Sequence, residues 1–350
     1  MTSRHERPLV TFILFSYNQE EYISDAIDGA LKQDYRPLQI IFSDDCSNDN
    51  TFSIIEKRLS SYNGSHSVTL NQTPKNLGLI GHINTVVKFA KGELLILAAG
   101  DDISSPIRTK EVVSAWLRHG KPAHATIHSD WLEFKHMNLG NDKHRKPKRK
   151  CKNINHYLKN WCQPFIHGAT AAYTPDLFTD FPLLDESGLV EDTSLSFRSL
   201  LTRGEIIYIP KPLVHYRITA ANISGRKNLK KPDEFKYWIH AASKYLDQNL
   251  NDYYYLLDRE MVDKNLRLEK TLYSMKHRWK KQIKLLSPSF PDRCQAIVFS
   301  PIPNWIDRIN YYGHLFGWRQ HPIYKISSNA YRTGQSFITK VLRRLPRKGG

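Results

Sequence analysis

Along the first 130 residues, short apolar runs alternate with stretches whose apolar residues recur at helical spacing. Leu9–Phe15, Leu38–Phe42, Val68–Leu70 and Leu94–Leu97 are brief, apolar and bounded by polar turns, which predicts strands. Between them Ile23, Ala26, Ile27, Ala30 and Leu31 repeat at helical spacing, and Ile80, Ile83, Val86, Val87 and Ala90 do so less strictly. Strand and helix in alternation predict an α/β fold, a mostly parallel central sheet with helices on both faces. Ligands bind such sheets beyond the carboxyl ends of the strands. The first run leads there into Ser16–Glu20, the second into Ser43–Thr51 and the fourth into Gly100–Asp102, so carboxylates, amides and hydroxyls gather at one sheet edge.

Further along, Gly168–Tyr173, Ile206–Ile209 and Leu213–Tyr216 read as strands and Asp192–Leu201 as a helix. Seven of the ten residues Lys143–Lys152 are Lys or Arg, which predicts a solvated loop over 141–153. From Pro232 the pattern turns helical. Phe235, Trp238, Ile239, Ala242 and Leu246 mark one amphipathic helix, and a second helical pattern runs from Asn251 to Leu286, after which Pro288, Pro291, Pro301 and Pro303 break it. The expected organisation is an α/β domain over residues 1–225 and a basic, largely helical region over 226–350.

With 350 residues, 40% of them apolar and 24% charged, the chain has the composition of a globular protein with a sizeable core, which excludes wholesale disorder. The net charge of +17 is unevenly placed. Residues 1–142 hold 14 Lys and Arg against 17 Asp and Glu, whereas residues 226–350 hold 25 against 10. A basic rear on a slightly acidic front suits contact with a polyanion, either nucleic acid or an anionic membrane. The four cysteines, Cys46, Cys151, Cys162 and Cys294, form no C-x-x-C pair and show no metal-like spacing with histidines, as expected of reduced thiols. The run Leu9–Phe15 is too short for a signal or spanning segment, and no stretch approaches about 18 uninterrupted apolar residues. A cytoplasmic protein is expected, at most peripheral on the inner face of the cell membrane.

Three acidic clusters carry the candidate chemistry. Asp101-Asp102 directly follows a buried strand, where paired carboxylates suit a hard divalent cation shared with substrate phosphates. The competing reading makes Asp102 or Ser104 the cap of a helix beginning near Ser105-Pro106. Asp49 or Asn50 can cap a helix at Thr51, which leaves Asp44-Asp45 placed to accept hydrogen bonds from a nucleobase or ribose. Glu191-Asp192 opens a helix, where acids favour the macrodipole and where a general base could equally stand.

In this order the pieces resemble glycosyltransferase family 2, the inverting enzymes of the GT-A fold. The resemblance covers residues 8–225 and rests on Thr11–Ile23, Asp44–Asp49, Asn76–Gly78, Gly92, Gly100–Asp102, Gly168–Thr170, Glu191-Asp192 with Arg198, and His215–Arg217 with Asn222–Ser224. It implies a nucleotide-diphosphate sugar donor such as a UDP-sugar, contacted by Tyr17, Asn18, Glu20, Asp44, Asp45, Asn76, Gly78 and Asp101. Asp101 and Asp102 would hold Mn2+ or Mg2+, and Asp192, beside Glu191, would deprotonate a saccharide acceptor. Three positions depart from the family pattern. Ala99-Gly100 replaces an earlier acid, Cys46 stands where Gly is usual, and Ile83 stands where many members carry Arg, leaving His82 or Lys75 to supply a positive contact. His215 as an extra ligand, Trp131 as a sugar platform and His167 facing the acceptor are further candidates.

Processive relatives carry membrane-spanning helices and a Gln-x-x-Arg-Trp motif. Here Arg278-Trp279 follows Met275 at the Gln position, so transfer of one sugar at a time is expected. Ile338, Val341, Leu342 and Leu345, flanked by Lys340, Arg343, Arg344, Arg347 and Lys348, form the pattern of a basic interfacial helix, and Tyr311, Tyr312, Phe316 and Trp318 suit a headgroup layer. An anionic membrane surface and a lipid-linked saccharide acceptor in cell-surface polysaccharide or lipopolysaccharide assembly are expected, with nucleic acid disfavoured for want of a recognisable motif. In the plainer reading Lys276, Arg278, Lys280, Lys281 and Lys284 are the solvated side of packed helices. A sugar nucleotidyltransferase is the enzymatic alternative, although its Gly-rich loop is missing after the first strand.

Overall fold

The computed structural model describes residues 7–135, 142–147, 153, 154, 156, 166–188, 190–219 and 231–283. Four parallel strands lie in the order β3 (Ser67–Gln72), β2 (Leu38–Asp44), β1 (Val10–Ser16), β4 (Leu94–Ala99). Every residue of β1 and β2 is buried, which is why both read as mainly apolar runs, with Thr11 bonded to Gln39 between them. Phe12, Leu14, Ile40, Phe42 and Ile96 pack against α1 (Ile23–Leu31), α2 (Thr51–Ser60) and α4 (Arg108–Arg118). The alternate residues face the other way, where Phe15 meets His82 of α3 (Gly78–Val86) edge to face. Helices therefore cover both faces of the parallel half.

The sheet continues through antiparallel joints. The two-residue β8 (Ala172–Tyr173) bridges β4 and β6 (Ala125–Phe134), β6 runs parallel to β9 (Glu205–Arg217), and β5 (Ile103–Ser104) pairs antiparallel with β9. In the register of β1 with its neighbours, Ser16 stands opposite Asp44 and Phe15 opposite Ala99. The three polar segments of the sequence thus leave the sheet at one level.

Several elements differ from the sequence expectation, each for a local reason. Gly168–Thr170 forms a 3-10 turn in which the Thr170 hydroxyl donates to the His167 carbonyl, so only Ala172–Tyr173 is strand. The two strands expected within 206–216 are one, bent where Pro210 and Pro212 cannot donate to the ladder and the register with β6 slips. β6 escaped notice because Thr126, His128, Ser129 and Asp130 are polar yet buried. Within the expected basic loop, β7 (Lys143–Arg145) pairs with β6 and places Arg145 on Glu133 and His144 on Asp130; residues 148–152 lie outside the described residues.

The helix after the acidic pair starts at Arg108, with Ile107 at the cap and no side-chain cap bond, so neither Asp102 nor Ser104 caps it. α5 (Asp176–Thr179) is a single turn, and α6 (Asp192–Leu201) matches its expected span. α7 (Lys231–Asp258) runs through the expected break, and the chain turns between it and α8 (Leu266–Ile283). Glu260 at φ +57 ends α7, and the Asn265 side chain accepts from Leu268 N–H to start α8.

Met1–Gly225 and Lys244–Leu272 form one compact unit, and Arg226–Ser243 with the residues from Tyr273 onward form the other. In the first, the buried Arg198 of α6 meets Asp252 of α7 through Nε at 2.8 Å and Nη2 at 2.9 Å. In the second, the described residues are the first part of α7 and the greater part of α8. No helix among the described residues is long and apolar enough to cross a membrane. The expected tail helix at 338–345, the aromatic residues at 311–318 and Asn222–Ser224 lie outside the described residues.

Candidate active site

The loops after β1 and β2 are stapled to each other. Asn18 N–H donates to Ser47 Oγ at 2.8 Å, and Asn48 N–H returns a bond to Asn18 Oδ1 at 2.8 Å. Glu20 Oε2 accepts from both the backbone and side-chain nitrogens of Asn50, while Asp49 accepts from Glu20 N–H and from Thr51. Asp49 supplies the bonds expected of a cap, although Asn50 occupies the cap position. Both loops contain a left-handed residue, Asn18 at φ +50 and Cys46 at φ +58. Asn tolerates that conformation, whereas Cys46 is held in strained backbone where glycine would be at ease. Tyr17, in the first of these loops, is 41% exposed.

Asp44 and Asp45 are buried and occupied by the protein. Asp44 accepts from Ser16 Oγ, from Ser47 through both backbone and hydroxyl, and from Gln72 Nε2. Asp45 accepts from the Thr73 hydroxyl and from Leu77 N–H, fixing the segment in which Asn76 Oδ1 in turn accepts from Gly78 N–H. Gly78 has φ +70, a geometry only glycine adopts without cost. The expected cation is not found at His82. Burial lowers its pKa, it bonds Ser43 Oγ at 2.7 Å, and as a neutral ring it supplies no positive charge.

Asp101 and Asp102 turn away from the end of β4. Asp102 is 5% exposed, and its Oδ1 accepts from Arg217 N–H at 2.9 Å, while its Oδ2 is buried without any hydrogen-bond partner. Burial, followed by the neighbouring Asp101 charge, pushes the Asp102 carboxyl well above the usual range, and burial raises Asp101 as well. Arg108 lies beneath the pair at 1% exposure, donating to Ser104 Oγ, Leu97 O and Ala171 O. Burial lowers even this guanidinium to about 10, with the Asp102 charge opposing the fall.

The second acidic pair meets the Gly168 turn. A Cβ on Gly168 would stand 3.0 Å from Glu191 Oε1 and 3.4 Å from Asp192 Oδ2, so glycine there lets the backbone close on both carboxylates. Because β8 is antiparallel to β4, this turn is delivered to the sheet end that carries Gly100–Asp102. Tyr173 Oη donates weakly to Glu191 at 3.5 Å. Burial, then the Asp192 charge, raises Glu191 to about 7; burial raises Asp192 to about 6, opposed by bonds from Thr193 and Gly168. Beside the turn the His167 ring centre lies 4.4 Å from that of Trp131, tilted, and 4.6 Å from that of Tyr216, edge to face, and burial lowers its pKa to about 4. His215 sits opposite Ile103 in the β5–β9 pairing and 6.4 Å from the Phe134 ring.

Arg108, beside Asp102, and Tyr173, beside Glu191, are not marked as site residues by the sequence pattern, where Tyr173 only ends an expected strand and Arg217 only belongs to a motif. Arg108 could have been suspected as a base four residues after Ser104 on an apolar helix face; nothing local marks Tyr173.

A family model described as glycosyl transferase family 2 matches residues 11–178. Residues 11–178 belong to glycosyl transferase family 2. An uncharacterised protein of Mycobacterium tuberculosis is 36% identical over 112 residues, 31% of this chain, and the match spans 32% of that protein's length. EpsH of Bacillus subtilis, named as a glycosyltransferase, is 25% identical over 265 residues, covering 73% of this chain and 75% of EpsH. Residues 1–349 of Staphylococcus aureus TarS, solved with UDP, superpose with a TM-score of 0.53 at 17% identity, covering 93% of this chain and 92% of that one. The α/β fold is accordingly the GT-A fold.

Members of this family imply a divalent metal, and the acidic turn suits one. An orphaned buried carboxylate oxygen on Asp102 beside the half-buried Asp101 is a hard-oxygen donor set. Among the described residues no three acidic, His or Cys side chains gather into a metal cage. One or two carboxylates completed by substrate phosphates is the arrangement Mg2+ and similar ions accept.

Proposed function

We propose that this chain is a nonprocessive, inverting glycosyltransferase that moves one sugar from a nucleoside-diphosphate sugar to a hydroxyl of a saccharide acceptor. The observation that carries the reading is the pair of acidic sites at one sheet end: Asp101-Asp102 with an unpartnered buried oxygen, and Glu191-Asp192 raised by burial towards neutral pH. Membership of family 2 supports glycosyl transfer over nucleotidyl transfer or nucleic-acid binding.

The roles divide by environment. Tyr17 offers its exposed ring to the nucleobase, while Asn18, Glu20, Asp44 and Asp45 hold the surrounding loops in shape. Asn76 and Gly78 keep the entry to α3 open beside them. Asp101 and Asp102 hold the divalent ion, which when bound neutralises charge on the leaving diphosphate. Asp192 takes the proton from the acceptor hydroxyl, and a carboxylate near 6 is a stronger base than an ordinary one while still ionised at neutral pH. Direct displacement by that hydroxyl inverts the anomeric centre. Glu191, raised further, stays partly protonated beside it, which limits repulsion between the two acids.

UDP-sugars are the first donors to test, since TarS is a β-N-acetylglucosaminyltransferase solved with UDP and with UDP-GlcNAc. The basic tail supports a lipid-linked acceptor at the cytoplasmic face of the membrane, in the assembly of a surface polysaccharide. A panel of nucleotide sugars with Mn2+, read by thermal unfolding, tests the reading. One of them should raise the midpoint, and Asp101→Ala should abolish the rise; no protection by any nucleotide sugar contradicts it.

A further inference from the structure

Arg217 ends β9 and meets the acidic turn at two points. Its backbone N–H donates to Asp102 Oδ1 and its Nε to the Asp101 carbonyl, each at 2.9 Å. Its Nη2 donates to Asp25 Oδ2 of α1 at 2.8 Å, and the guanidinium carbon lies 4.8 Å from the Tyr22 ring centre and 4.5 Å from that of Phe134. The side chain is therefore clamped by an ion pair and two aromatic rings while it grips the turn. The β5–β9 pairing sets Ile103 opposite His215, so the turn and Arg217 leave that ladder together.

We propose that Arg217 is a positioning residue for the divalent-cation site, with Asp25 as its anchor: by fixing Asp102 Oδ1 and the Asp101 carbonyl, it leaves Asp102 Oδ2 to face the ion. This rests on the metal role given above to Asp101 and Asp102. The planar fork matters more than the charge. Nε and Nη2 serve the Asp101 carbonyl and Asp25 at once, and the flat guanidinium lies against two rings; a lysine ammonium carries the same charge but cannot hold both partners in that geometry. Residues that orient metal ligands typically change metal affinity by about 10–100-fold when altered.

The test uses the full-length protein, with Mn2+ titrated in the presence of UDP and read by thermal unfolding, alongside KM and kcat for UDP release from the donor found in the panel. Arg217→Lys should raise the Mn2+ concentration for half-maximal protection, and the donor KM, by about tenfold or more, with kcat changed much less. Asp25→Asn should shift both in the same direction, and the double variant should be no worse than Arg217→Lys, because Asp25 acts through Arg217. Asp25→Asn carries the decision if Arg217→Lys does not fold. A wild-type Mn2+ midpoint and KM in Arg217→Lys, or in Asp25→Asn, overturns the positioning role. Asp101→Ala separates this from failure of the metal reading. Loss of the Mn2+ response there, with a wild-type response in Arg217→Lys, overturns the positioning role alone; an unchanged response in both overturns the metal site itself.

Discussion

At the scale of single residues, burial decides what each acid can do. Asp44 and Asp45 are as deeply buried as any acid in the sheet, yet every face of their carboxylates is matched by hydroxyls and amides from adjacent loops. Asp102 is equally buried with one oxygen unmatched, and that difference separates an acid that holds loops from one able to take a cation. Asp192 lies between these cases, half-buried with its desolvation opposed by bonds from Thr193 and Gly168, which leaves it near 6. A base must be deprotonated to act, so kcat/KM should be full above that value and fall as pH drops through about 6. A pH–rate profile checks this; an acid limb in the ordinary aspartate range near 4 would contradict it.

At the scale of elements, two buried arginines hold helices in place, one against the sheet and one against other helices. Arg108 binds α4 to the carbonyls of Leu97 and Ala171, and Arg198 binds α6 to Asp252 and to the carbonyls of Leu177 and Pro182. Removing one partner of such a pair strands a buried charge, so Asp252→Ala should cost about 3–5 kcal/mol in denaturant unfolding, far more than an exposed pair such as Arg203–Asp263 contributes. The parallel half of the sheet was legible because strands covered on both faces are mainly apolar, and β1, β2 and β4 announce themselves that way. β6 was not, since Thr126, Asp130 and the Ser129 backbone are buried against the long-range partners Ser199, Tyr208 and Thr170, which no local pattern reveals. The acidic ends of β4 and α6 were visible in sequence; their meeting with Arg217 and with Gly168 depends on pairings across more than 20 residues and was not.

At the scale of the whole molecule, charge and chemistry occupy different parts of the chain. The acidic front carries Asp101-Asp102 and Glu191-Asp192 follows it in the chain, whereas most of the surplus of positive charge lies beyond residue 225. If that surplus holds the enzyme on an anionic bilayer, exchanging Lys340, Arg343 and Arg344 for Glu should abolish flotation with anionic vesicles and leave binding of the nucleotide sugar unchanged. Equal flotation of the two proteins would remove the membrane from the account.

The central claim is that donor binding belongs to Asp101-Asp102 and proton removal to Asp192. It is tested most directly by Asp192→Asn, with calorimetric affinity for the donor and turnover measured on the same preparation. Donor affinity should stay at the wild-type level while kcat falls by about 10²–10⁴. Wild-type turnover in Asp192→Asn, or loss of donor binding in step with turnover, would contradict it.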